Sequence, residues 1–309
     1  MVTTLLTHPS SEKHATPEGH PERPDRIRAV NAALAVEAFS GLDRRFSRHA
    51  EPEELALAHS PAYVEALFAA SPSEGLVAID ADTVMSPASI GAARHTAGAV
   101  LDGVDLVMTG QSANAFCATR PPGHHAEPNR PMGFCLFNSI AIGAHYARNT
   151  YGIERVAVVD FDVHHGNGTQ AAFWDIPDFL YASTHQMPLF PGTGAASERG
   201  ANGRNIVNAP LPPGAGGLEF RSRMTEVILP ALREFRPELL LVSAGFDAHR
   251  RDPLANLMLE VGDFSWVTQQ LMAVAADCCD GRLVSTLEGG YDLVALAECV
   301  SAHVDVLMS

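Results

Sequence analysis

The sequence is poor in several features that would assign it to a class at once. Five cysteines are spread over 309 residues, and none has the spacing of a metal site or a disulfide framework, which favours a reducing compartment. The adjacent pair Cys278-Cys279 falls in a helix-like segment and reads as packing. No apolar run approaches the roughly 20 residues of a membrane span. The apolar opening, Met1 to Leu6, is too short for a signal peptide and lacks a basic flank, so a cytoplasmic location is expected. Basic charge is also scarce. With 21 Lys and Arg against 36 Asp and Glu, the formal charge is −15, which disfavours non-specific nucleic-acid binding through counterion release. No Ser/Gly linker, long charge run or repeat at solenoid period divides the chain, so residues 1–309 are expected to form one catalytic domain.

What is present is a series of short apolar runs separated by helical patterns. Strand-like runs occur at Val2–Leu6, Ala115–Ala118, Val156–Asp160, Phe179–Ser183, Ile206–Leu211, Leu239–Ser243 and Leu283–Leu287. Between them, Pro24 opens a helix with Ile27, Val30 and Leu34 at helical spacing. Ser60-Pro61 reads as an N-cap followed by a favoured first-turn proline. Helical patterns also cover Ile90–Val107, Gly217–Phe235, Phe264–Cys279 and Leu293–Met308. Strands alternating with helices predict a parallel sheet covered on both faces, with ligands beyond the carboxyl ends of the strands.

The polar clusters fall at those ends. Arg120-Pro-Pro-Gly-His124-His125 follows one strand, Asp160 to Asn167 the next, Ser183-Thr184-His185 a third, Gly245-Phe246-Asp247 a fourth and Glu288-Gly-Gly-Tyr291 a fifth. Asp160, Asp162 and His164 share a face by strand alternation, and a cation is the economical partner for such a set. Asp162, His164 and Asp247 supply three ligands and leave a position open, the pattern of a catalytic Zn²⁺, with Fe²⁺ or Co²⁺ as alternatives. His124 and His125 suit proton transfer near neutral pH, and Asp160 and Asn167 are available to orient them. Tyr291 can donate to a developing oxyanion. Gly133, Phe134 and Phe190 can wall a narrow apolar tube, although such Phe residues are more often plain core.

Read in order, the runs RPPGHH, GFCLFN, DFDVHHGNGTQ, FPGTG, SAGFDAH and EGGYD resemble the zinc-dependent histone deacetylase and acetylpolyamine amidohydrolase superfamily. The likeness is greatest to the second class of histone deacetylases and its bacterial amidohydrolase relatives, and extends from His20-Pro21-Glu22-Arg23-Pro24 nearly to the C-terminus. The resemblance implies an arginase/deacetylase-like three-layer α/β fold with a central, mostly parallel sheet of about eight strands. It implies Zn²⁺ on Asp162, His164 and Asp247, and His125 as general base and then acid with Asn167 behind it. His124 paired with Asp160 would act electrostatically, and Tyr291 would polarise the scissile carbonyl. Gly133, Phe134 and Phe190 would line an acyl-lysine tunnel, and Arg23 would stand beside an acetate-release channel. It also implies a structural K⁺ on Asp160, Asp162, His164, Ser183 and Thr184, and a second cation near Phe173 to Phe179.

Two positions depart from the pattern. Asn167 stands where the first class has Asp, which is usual for the second class. The turn after Asp247 reads Arg251-Asp252-Pro253-Leu254 where Gly-Asp-Pro-Leu is common, so Arg251 puts the loop shape in question. The expected substrate is an acetylated lysine in a peptide or protein, or a small acetylated amine. An acetylpolyamine deacetylase is the nearest rival. Leu254 lies where polyamine-selective relatives place Glu, which counts against it, while Asp80 and Asp82 near the rim count for it. A ureohydrolase would need further Asp and His ligands for two manganese ions, which the segment after Asp162 lacks. A non-catalytic acyl-peptide scaffold would be expected to have lost Tyr291, a His or a ligand, and none is missing. A homo-oligomer is compatible with the sequence.

Overall fold

The computed structural model describes residues 2–309. The strands are β1 (Thr3–Thr7), β2 (Asp43–Phe46), β3 (Val77–Ala78), β4 (Val84–Met85), β5 (Asn114–Cys117), β6 (Val156–Asp160), β7 (Phe179–Gln186), β8 (Ile206–Leu211), β9 (Leu239–Ala244) and β10 (Leu283–Leu287). Eight of them form one sheet in the order β2-β1-β5-β10-β9-β6-β7-β8, and every pair in it is parallel. The other two, β3 and β4, pair antiparallel as a small separate ribbon.

Parallel strands covered on both sides read as continuous apolar runs, and β5, β6, β9 and β10 are buried at every position. Their alternate residues feed opposite layers. Phe116, Ala157 and Val159 pack with helices Pro24–Leu34, Val261–Cys279 and Leu293–Leu307. Cys117, Val156 and Val158 pack with helices Ser89–Met108 and Ser139–Tyr151 on the other face. The predicted cap holds, since the Tyr63 amide donates to Ser60 Oγ at 3.2 Å at the head of helix Pro61–Ala70. The three-layer expectation is met.

One strand of the eight-stranded sheet has no counterpart among the sequence runs, and neither do the two short strands of the ribbon. β2 is Asp-Arg-Arg-Phe, mostly exposed, and has a sheet neighbour on one side only. A polar edge strand carries no apolar run to detect it and resists pairing with another chain.

Candidate active site

The strands β5, β10, β9, β6 and β7 are consecutive neighbours in the sheet, so the loops leaving their carboxyl ends meet at one place. In that place Asp162, His164 and Asp247 are buried, and one ligand atom from each lies within 4.8 Å of the others. His164 Nδ1 is 3.2 Å from Asp162 Oδ1 and 3.1 Å from Asp247 Oδ2. The remaining carboxylate oxygens are fixed from behind. Asp162 Oδ2 accepts from the Gly289 amide at 2.7 Å, and Asp247 Oδ1 from the Val163 amide at 2.9 Å. Backbone must pass very close for this. A Cβ on Gly245 would lie 2.0 Å from Asp162 Oδ2, and one on Gly289 2.0 Å from Asp247 Oδ2, so neither site has room for a side chain.

Two buried carboxylates facing one imidazole carry an excess of negative charge. Burial alone would lower the pKa of His164, but its hydrogen bonds to Asp162 and Asp247 overcome this and raise it to about 10. Burial, and then the charge of Asp162, raises Asp247 above the usual carboxylate range. The raised values mark a place of strong negative potential, which favours a cation. An O,N,O donor set of this kind, with its outer oxygens already held by amides, fits a divalent metal ion.

Next to this set stand the two histidines, with ring centroids 4.1 Å apart. His124 Nδ1 lies 2.9 Å from Asp160 Oδ2, which also accepts from the Tyr181 hydroxyl at 3.1 Å. His125 Nδ1 lies 2.8 Å from Asn167 Oδ1, and the Asn167 amide donates to Glu127 Oε1 at 2.8 Å. The environments drive the two rings apart electrostatically. Burial pushes both down. For His124 the carboxylates of Asp160, Asp162 and Glu288 reverse that and raise it well above its ordinary value. For His125 the neighbouring charges of His124 and His164 add to burial and hold it well below. One ring keeps its proton and the other is free to accept one, the division of labour expected of an acid–base pair.

The residues expected to wall the tube lie close to His125 and Tyr291. Gly133 and Phe134 both have positive φ, 57° and 68°, and a Cβ at Gly133 would lie 2.3 Å from His125 Cδ2. The Phe190 ring stands edge-on to His125 at 5.1 Å and is 41% exposed, so it belongs to the mouth rather than the core. Phe134 meets Tyr291 edge-on at 5.9 Å. The Tyr291 amide donates to Asp252 Oδ2 at 2.7 Å, and Asp252 Oδ1 accepts from the Leu254 amide at 3.0 Å. The Asp252 carboxylate therefore ties the loop of Leu254 to the tyrosine. Arg251 turns away from the pocket, toward Glu298 and Asp292.

Arg23 does not reach the site. Its side chain is 40% exposed and pairs with its neighbour Asp25 at 3.3 Å. The arginine that does reach it is Arg26, one turn further along the same helix and buried. Its Nε donates to the Gly290 carbonyl at 2.6 Å, its guanidinium also bonds the Glu288 carbonyl, and it lies 4.8 Å from the centre of the Tyr291 ring. The first residues of a helix project to different sides, and position 23 precedes the helix while position 26 lies on its buried stripe. Arg26 and Arg120 both pair with Glu22, which is fully buried. Burial would raise the Glu22 pKa, and the Arg120 charge instead holds it well below normal.

Glu288 was also missed as a site residue. It is buried, and its Oε2 accepts from the amides of Gly123 and His124 at 2.7 and 3.2 Å, while Oε1 accepts from Ser243 Oγ at 3.0 Å. One carboxylate thus braces the histidine loop against the tyrosine loop.

Comparison with known proteins agrees with this geometry. The family described as the histone deacetylase domain matches residues 20–307. The chain belongs to the histone deacetylase family. This deacetylase is 39% identical over 293 residues to the histone deacetylase-like amidohydrolase of Pseudomonas aeruginosa, covering 94% of this chain and 77% of that one. It is 40% identical over 303 residues to the chloroplastic histone deacetylase 10 of Oryza sativa, covering 92% and 68%. In three dimensions it is similar to the crystal structure of the HDA15 HD domain, with a TM-score of 0.94 at 36% identity over 99% of this chain and 88% of that one. The fold, the metal-fitting triad and the family together make it a metal-dependent deacetylase.

Proposed function

We propose that residues 1–309 form one catalytic unit that removes acetyl or short acyl groups from lysine side chains of peptides and proteins, with Zn²⁺ on Asp162, His164 and Asp247. The observation that carries this reading is the buried His125, bonded through Nδ1 to Asn167 and set beside three residues fit to hold a metal, with Phe134 and Phe190 close by. When bound, the ion polarises the amide carbonyl and acidifies water, whose pKa can fall from about 15.7 toward roughly 7. His125 takes the proton of the attacking water through Nε2, since Asn167 engages Nδ1. Tyr291 donates its hydroxyl to the oxygen that gains charge. Burial raises that phenol well above its ordinary pKa and keeps it a donor. His125 then returns the proton to the leaving amine, and His124, held charged by Asp160, stabilises the charge that develops. Arg26 orients the Tyr291 loop through the carbonyls of Glu288 and Gly290.

The ligand assignment has a direct test. Asp162→Ala should lose most bound metal by elemental analysis and most activity with it. Stoichiometric metal in that variant would overturn the assignment. A K⁺ is placed on the Asp160 carboxylate, the Ser183 hydroxyl and the carbonyls of Asp160, Asp162, His164 and Thr184. Asp160 and Ser183 are register partners at the ends of β6 and β7, and all five residues are buried. A second cation near Phe173 to Phe179 belongs to the same reading. Cytoplasm is the compartment we propose, in keeping with cysteines that are all free. No helix among the described residues is long and apolar enough to cross a membrane.

Two observations favour acyl-lysine over an acetylpolyamine. Asp80 is paired with Arg130 at 3.1 Å, and Asp82 Oδ1 accepts from the Gly133 amide at 3.1 Å and from Thr83 Oγ1 at 2.8 Å, so both rim carboxylates are engaged. The half-buried Leu254 offers apolar contact and no charge. The protein should prefer acetyl-lysine peptides, and Leu254→Glu should shift the ratio of kcat/KM toward acetylpolyamines. The shift is expected to be modest, because water and salt screen a rim charge. A wild-type preference for acetylspermidine or acetylputrescine would refute the substrate assignment.

A further inference from the structure

A cavity lies on the outer side of the sheet, and none of the active-site residues described above lines it. It has a volume of about 790 Å³ and runs along β8, the outer strand of the sheet. Arg155 and Asp178, which immediately precede β6 and β7, line it. These two residues put part of its wall at the amino ends of the strands, and Ile206 to Pro210 carry it along β8.

Its charge runs against the rest of the molecule. The chain carries −15 overall, yet four arginines, Arg155, Arg199, Arg204 and Arg223, line this space with only Asp178 and Glu234 among them. Two of these six are already engaged. Arg155 donates to the Arg236 carbonyl at 2.9 Å and lies 3.6 Å from Glu238, and Asp178 pairs with Arg148 at 3.2 Å. Among the described residues, Arg199, Arg204 and Arg223 have no carboxylate partner, and one carboxylate, Glu234, is left to face them. Unpaired cations gathered around one space repel one another and are eased by an anion. Guanidinium forks match phosphate or carboxylate oxygens two at a time.

The floor is of different character. Leu180, Val207, Val227 and Phe235 line it. The helical stretch that supplies Arg223, Val227 and Phe235 contains a wide turn over Met224–Ile228, where the Leu229 amide donates to the Met224 carbonyl five residues back. Such turns are uncommon and collect at functional sites. Here the turn lies between Gly217–Arg223 and Leu229–Phe235 and brings residues from both helices onto one cavity wall. The space is much larger than a bare phosphate and falls within the roughly 300–1,000 Å³ of small-molecule sites.

We propose that this cavity binds an organic phosphate with at least two negative charges and an apolar or aromatic body, of the nucleoside diphosphate class. The phosphates sit on Arg199, Arg204 and Arg223, and the body lies against Val227 and Phe235. The test is titration calorimetry of the metal-loaded full chain with ADP, pyrophosphate and adenosine. ADP should bind saturably and more tightly than either fragment. Arg199→Ala/Arg223→Ala should weaken ADP by about tenfold or more, a loss of about 1.4 kcal/mol. Arg199→Lys/Arg223→Lys should lose less, because lysine keeps the charge but not the fork. Both arginines are exposed, so the alanine variant should keep full deacetylase activity, which serves as the check on folding. Three results would overturn the proposal. They are no saturable ADP binding at millimolar concentration, an unchanged Kd in the alanine variant (as when the nucleotide sits on the catalytic metal), or pyrophosphate binding as tightly as ADP.

Discussion

His125→Ala is expected to cut kcat by about 10²–10⁴-fold, the usual worth of general acid–base help, while the protein keeps its metal. The two halves of this expectation have separate causes. His125 is not among the groups that face one another at the metal set, so its removal leaves Asp162, His164 and Asp247 in place. It is nevertheless the ring whose pKa is held down, by burial and by the charge of His124. A base must be unprotonated to act, and its pKa is displaced downward, so it is ready at neutral pH and its protonation limb lies on the acid side. His124 is the poorer base, because its carboxylate neighbours hold its proton. Elemental analysis paired with kcat reads both halves. Near-normal kcat in the variant would transfer the base role to another group, with His124 the first to examine.

Tyr291→Phe should cost about 10²–10³ in kcat, the typical loss of one oxyanion donor, with a much smaller change in substrate Kd. The ring would stay where it is. It is fixed by Arg26 on its face, Phe134 at its edge and Asp252 on its amide, and none of these contacts uses the hydroxyl. The lost hydrogen bond is one that strengthens only as charge develops on the carbonyl oxygen, so binding of the ground state should suffer less. Single-turnover kinetics separate the outcomes. A large rise in Kd with an unchanged chemical rate would make Tyr291 a binding wall instead.

Legibility in the sequence followed the physics of each signal. Fully buried strands such as Val156–Asp160 and Leu283–Leu287 show as apolar runs and were read with their observed limits. The edge strand Asp43–Phe46, mostly exposed, offered no such run. Side chains that carry chemistry stand out where strand ends concentrate His and Asp, which is why the metal set and both histidines were accessible. Supporting groups were harder. Glu288 lies inside a quoted motif, yet its task is to receive the amides of Gly123 and His124, some 165 residues away in sequence, and main-chain partners leave no residue-type signature. Arg26 differed from Arg23 only in helical phase, which one turn of sequence does not show without the residues packed against it.

The arginine that seats the tyrosine loop has one more consequence, and it concerns time. Arg26 grips carbonyls 262 and 264 positions further along the chain, and Arg120 reaches back 98 positions to Glu22. Contacts of such span close very large loops, and neither partner can hold its place until the other end of the chain is made. The oxyanion donor is seated only when the two ends of the polypeptide have met.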